Sequence, residues 1–163
     1  MIKNKVLGSL LRPPRILLVE DSAPDAFLIK RFLHKSRVYH ELAVVENGED
    51  AIDYLWRRGP FAKCETPDIV LLDLNLPRMH GLQVLAEIKA DDPLKRLPVI
   101  ILSSSANKAD VDRAYSCGAN QYWRKPVNLE DTERLVQTLV QSWLEFSLLP
   151  GLPVLLNPSY PAD

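Results

Sequence analysis

Apolar positions in this chain follow two rhythms. Three runs, Arg15-Ile16-Leu17-Leu18-Val19, Ile69-Val70-Leu71-Leu72 and Pro98 to Leu102, are apolar almost without a break. Runs of that length suit strands buried on both faces of a parallel sheet. Tyr39 to Val45, alternating at first, and the short Gln121-Tyr122-Trp123-Arg124 predict two further strands. The segments between carry apolar residues at helical spacing. Phe27, Leu28, Phe32 and Leu33 line a first helix, which Ser22 caps, with Asp25 completing a pattern like a capping box. Ile52, Leu55 and Trp56 line a second, Gly48 to Arg58, which Gly59-Pro60 stops. Leu82, Leu85 and Ile88 line a third, Gly81 to Ala90. Asn107 and Asp110 open a fourth, which Gly118 closes. Asn128 caps the last, which runs to about Phe146 on a stripe of Leu135, Val136, Leu139, Val140 and Trp143.

Five strands alternating with five helices predict an α/β fold. Right-handed crossovers then place helices on both faces of a doubly wound parallel sheet. The expected architecture is flavodoxin-like, (βα)5, with strand order 2-1-3-4-5. Residues 1–14 read as a leader, 15–146 as the domain and 147–163 as an apolar tail.

The strand ends carry the candidate chemistry. The first strand ends on Glu20 and Asp21, the third on Asp73, the fourth on Ser103, Ser104 and Ser105, and the fifth on Lys125-Pro126. In the expected order, strands one and three are neighbours, and ligands bind outside the carboxyl ends of such strands. Three carboxylates with one lysine leave a formal charge of −2, which a divalent cation balances. Oxygen ligands in a half-open site favour Mg2+, which keeps several waters. With Mg2+ and Lys125 beside it, Asp73 stays ionised and can act as a nucleophile toward phosphorus. The lysine then neutralises phosphoryl oxygens, and Ser103 donates a hydrogen bond to one.

Composition adds only bounds. The chain of 163 residues has a net charge of −1 and is 47% apolar, which suggests neither a nucleic-acid partner nor disorder. Cys64 and Cys117 match no metal spacing and are expected to be reduced thiols. No stretch is apolar for long enough to suggest a signal peptide or membrane span. A cytoplasmic protein without a membrane partner is expected.

Taken together, Val19-Glu20-Asp21-Ser22, Leu72-Asp73-Leu74-Asn75-Leu76-Pro77, Gly81, Leu102-Ser103-Ser104 and Lys125-Pro126 resemble the receiver domain of two-component response regulators. The resemblance implies that Asp73 accepts a phosphoryl group from a sensor histidine kinase. It implies that Asp21, Asp73 and the main-chain carbonyl of Asn75 bind Mg2+ directly, with Glu20 acting through water. It also implies phosphoryl contacts from Ser103 and Lys125, a cis Lys125-Pro126 bond, and a switch in which Tyr122 turns inward as Ser103 moves. Asn75 and Ser105 would flank the water that removes the phosphoryl group. Glu87-Ile88-Lys89 and Leu94-Lys95-Arg96-Leu97-Pro98-Val99 look like the regulators paired with phytochrome kinases. His80 stands where the family often has an acid, and reads as an exposed loop residue.

An aspartate-nucleophile phosphatase is the competing enzyme reading. Such enzymes usually carry a second acid two residues on, where this chain has Asn75, and nothing here forms a cap over a small substrate. A pseudo-receiver that only binds partners is the other alternative, against which all five site groups are present. A phosphoacceptor that catalyses only its own phosphorylation and dephosphorylation is therefore expected. The tail is too short for an output domain, so signalling is expected to pass by protein contact. Its apolar residues, Leu148, Leu149, Leu152, Val154, Leu155 and Leu156, predict a docked arm, exchanged in a homodimer or folded back on its own domain.

Overall fold

The structure, a computed structural model, describes residues 12–36 and 38–145. The elements alternate as expected: β1 (Arg15–Val19), α1 (Ala23–Lys35), β2 (Glu41–Val45), α2 (Gly48–Leu55), β3 (Ile69–Leu72), α3 (Gly81–Ala90), β4 (Val99–Ser103), α4 (Lys108–Ser116), β5 (Gln121–Arg124) and α5 (Leu129–Leu139). The sheet is parallel throughout, in the order β2-β1-β3-β4-β5. The register sets Val19 beside Leu72, Leu72 beside Ile101 and Ser103 beside Arg124, which levels the carboxyl ends of the strands.

The unbroken runs are explained by two cores. Leu17, Val19, Val70, Leu72, Val99 and Ile101 face Ala51, Val84, Leu85, Ile88 and Ala114 of α2, α3 and α4. Ile16, Leu18, Ile69, Leu71, Ile100 and Leu102 face Ile29, Phe32, Val136 and Leu139 of α1 and α5. Alternate side chains of a strand point to opposite faces, so both parities must be apolar. Each fully buried aliphatic side chain contributes about 1.5–3 kcal/mol.

Several local expectations are corrected. Phe27 is 62% exposed, and Ile29 takes its place on the buried face of α1. β2 starts at Glu41, and Tyr39 lies outside it, exposed. α2 ends at Leu55 because Trp56 leaves helical geometry and Arg57 turns left-handed (φ 56°). A single 3-10 turn, Gly59–Phe61, follows. The last helix passes at Val140 into a π-helical stretch, Val140–Glu145. There Trp143 and, from β5, Trp123 both donate to Gln121 Oε1, at 2.7 and 2.9 Å. α4 closes where expected, with Gly118 at φ 96°, a conformation that needs no Cβ. The end of the last helix near Phe146, most of the 1–14 leader and the 147–163 arm lie outside the described residues.

Candidate functional site

Main-chain bonds between neighbouring strands set the site. Glu20 N–H donates to Val45 O at 3.0 Å, Asp73 N–H to Val19 O at 3.0 Å, and Lys125 N–H to Ser103 O at 2.8 Å. These bonds bring the side chains that follow β1, β3 and β5 to one rim. Gly81 closes the loop after Asp73: its N–H donates to Leu74 O at 2.9 Å, and its Cα lies against the Asp73 carbonyl with no room for a Cβ.

Lys125 is the hub. Its ammonium donates to Glu20 Oε2 at 2.5 Å, Asp73 Oδ2 at 2.9 Å and Asp25 Oδ2 at 3.1 Å. Asp73 is 5% exposed, and its other oxygen, Oδ1, accepts the Asn75 N–H at 3.1 Å. Its carboxylate is therefore held at both ends. Glu20 is buried and also accepts the Ser22 N–H at 3.0 Å. Burial pushes the Glu20 carboxyl above the usual range, against the pull of the bond and charge of Lys125. Burial alone would lower Lys125, but its bonds to Glu20 and Asp73 reverse this and hold the ammonium above the ordinary lysine value.

Carboxylate oxygens of Glu20, Asp21 and Asp73 lie within 4.8 Å of one another. Two of these residues are buried and Asp21 is exposed, so the cluster opens to water on one side. Hard oxygen donors, excess negative charge and one wet face fit a divalent cation that retains part of its hydration.

The other expected residues gather at the same rim. Ser103 is fully buried, and its Oγ accepts the Ser105 N–H at 3.2 Å. Ser105 Oγ donates to Asp110 Oδ2 at 2.6 Å. The Tyr122 hydroxyl is not left to solvent: it donates to Ser105 O at 2.8 Å, and its half-buried ring packs on the α2–α4 core. Asn75 is exposed, with Nδ2 3.5 Å from Ser104 Oγ. The Lys125-Pro126 bond is trans, not cis. Trans is the lower-energy isomer of such a bond by about 0.5–1 kcal/mol, and Lys125 reaches its partners from it.

One role was misread from the sequence, and one exposed loop residue has a role the sequence reading did not give it. Asp25 does not return a bond to complete a capping box. Its N–H donates to Ser22 Oγ at 3.3 Å while its carboxylate goes to Lys125. His80 is the N-cap of α3, and its Nδ1 accepts the Leu82 N–H at 3.2 Å. The cap could have been anticipated from the position of His80 directly before Gly81. The Asp25 contact spans 100 residues and had no local signal.

Residues 16–139 match the family model described as the response regulator receiver domain. The chain belongs to this family. Among curated proteins, this receiver is 42% identical over 140 residues to response regulator Rcp1 of Synechocystis sp., covering 85% of this chain and 95% of Rcp1. Among solved structures, phosphorylated RcpA, a cyanobacterial phytochrome response regulator, superposes with a TM-score of 0.83 at 42% identity. The match covers 85% of this chain and 99% of RcpA. The Mn2+-bound form of Rcp1 superposes with a TM-score of 0.82, also at 42% identity, with the same coverage. Receivers are signalling proteins that bind a divalent metal in an acidic pocket, and this receiver carries the acidic cluster.

Proposed function

We propose that Asp73 is the phosphoacceptor of a response regulator served by a histidine kinase, with Mg2+ as its metal. The observation that carries this is the Asp73 carboxylate itself. It is nearly buried and held by Lys125 and the Asn75 N–H, beside two further carboxylates. A carboxylate fixed at both oxygens loses little further freedom on attack. An Asp73 oxygen attacks the phosphorus of a phosphohistidine. The O–P bond forms as the N–P bond breaks, and the electron pair leaves with the imidazole.

Glu20, Asp21, Asp73 and the Asn75 carbonyl would hold Mg2+, which supplies neutralisation of phosphoryl charge when bound. Lys125 would stabilise the same charge, and Ser103 would turn its hydroxyl to a phosphoryl oxygen. Tyr122 follows Ser103 by way of Ser105, whose carbonyl it already holds. Asn75 and Ser105 position the water that later attacks the acyl phosphate, releasing inorganic phosphate and restoring Asp73. Neither is a strong base, so the chemistry is confined to the protein's own phosphorylation and dephosphorylation.

The relatives Rcp1 and RcpA support a phytochrome-type kinase as donor. A kinase that draws its phosphate from ATP supports a cytoplasmic setting. We read no nucleic acid or membrane among the partners, and a second copy, engaged through the 147–163 tail with α4, β5 and α5, as one. The test of the site is phosphotransfer from an autophosphorylated phytochrome kinase to the full chain. Wild type should take up one phosphoryl group in Mg2+ and none in EDTA, and Asp73→Asn none in either. Normal uptake by Asp73→Asn would overturn the assignment.

A further inference from the structure

We propose that Asp25 is a positioning residue for this phosphotransfer: it holds the third N–H of Lys125 in the resting protein and releases it to the incoming phosphoryl oxygen. The inference rests on the reading of Asp73 as phosphoacceptor. An ammonium has three donors, and here all three are engaged, by Glu20, Asp73 and Asp25. Lys125 can reach a phosphoryl oxygen only by giving one up.

The three partners differ in what release requires. Glu20 is 1% exposed, and losing the ammonium would leave its charge buried and uncompensated. Asp73 carries the phosphoryl group and moves with it. The Asp25 side chain is 42% exposed and forms the longest of the three bonds, so water can replace the ammonium there. Asp25 and Lys125 also line a cavity of about 290 Å3 together with Leu28, Val127 and Thr132. The Asp25 charge, 3.1 Å from the ammonium, also opposes the arrival of a phosphate at Lys125. Asp25 thus acts against phosphorylation twice, by occupying Lys125 and by repelling the donor.

The experiment uses phosphoramidate, a small analogue of phosphohistidine, with the full chain at saturating Mg2+. Asp25→Asn should accept phosphate about two- to fivefold faster than wild type, the range expected for loss of a half-exposed ion pair. The ratio should fall toward one in high salt, because screening weakens the lost interaction. Asp25→Glu, which keeps the charge, should return toward the wild-type rate. Asp25→Ser repeats the test with a side chain too short to reach Lys125. A purely structural role for Asp25 would lower the melting temperature without raising the rate. Unchanged or slower uptake by the neutral variants, or equal acceleration by Asp25→Glu, overturns the proposal. Asp73→Asn separates the two readings: uptake by it would sink the phosphoacceptor assignment, whereas no uptake by it with no effect at Asp25 would sink this inference alone.

Discussion

Gly81→Ala tests how tightly the loop behind Asp73 sets the site. A Cβ built on Gly81 meets Asp73 O at 2.2 Å and Leu74 Cα at 2.7 Å. Real Cβ contacts essentially never fall below 3.0 Å, so the gap to Asp73 O must open by about 0.8 Å. Both obstructing atoms are backbone, so no rotamer change relieves the clash. Either α3 moves away, loosening the Gly81 N–H bond to Leu74 O, or the end of β3 moves and takes Asp73 with it. Overpacking of this kind costs about 1–3 kcal/mol, which lowers the melting temperature by roughly 4–8 °C at the middle of that range. If Asp73 is displaced by close to an ångström, phosphoacceptance should fall by about 100-fold. Thermal melts and initial rates with phosphoramidate measure the two effects on one preparation. A variant that melts with wild type and accepts phosphate within twofold of it would refute the close-approach reasoning.

Three further outcomes are expected. Tyr122→Phe removes the bond donated to Ser105 O and should destabilise by about 0.5–1.5 kcal/mol; urea titration should show a lower midpoint at unchanged slope, and an unchanged midpoint would count against the bond. Because burial raises Glu20, the folded protein keeps a proton that the unfolded chain releases once pH passes the ordinary value of 4.5. The metal-free protein should therefore lose stability as pH rises through that window, and Glu20→Gln should flatten the fall; identical pH profiles of melting in EDTA would contradict this. Asp21→Asn takes one charge from the cluster at an exposed position, so the fold should persist while divalent affinity drops at least about tenfold, and calorimetric titration with Mg2+ or Mn2+ giving wild-type affinity would exclude Asp21 as a ligand.

What the sequence by itself determined was the element order and, through it, the site. Four consecutive apolar residues at Ile69–Leu72 mark a strand covered on both faces, because alternate side chains point opposite ways. Caps such as Ser22, Asn107 and Asn128 act within a few residues of themselves, so their roles are local and legible. Chirality put helices on both faces of the sheet, the doubly wound order 2-1-3-4-5 was the expected arrangement, and in it the ends of β1, β3 and β5 bring Glu20, Asp21, Asp73 and Lys125 together. The tertiary structure decided the matters that depend on where whole elements sit. Phe27 and Ile29 stand two positions apart and so point to nearly opposite sides of α1; Ile29 packs with Phe32 and Leu33 against α5 and the sheet, which leaves Phe27 outward. Gly81 reads only as the start of a helix until α3 is seen pressed against the end of β3. Asp25 reads as half of a capping box until α1 lies beside the end of β5, where the charge of a half-buried ammonium outcompetes a neutral backbone N–H for its carboxylate.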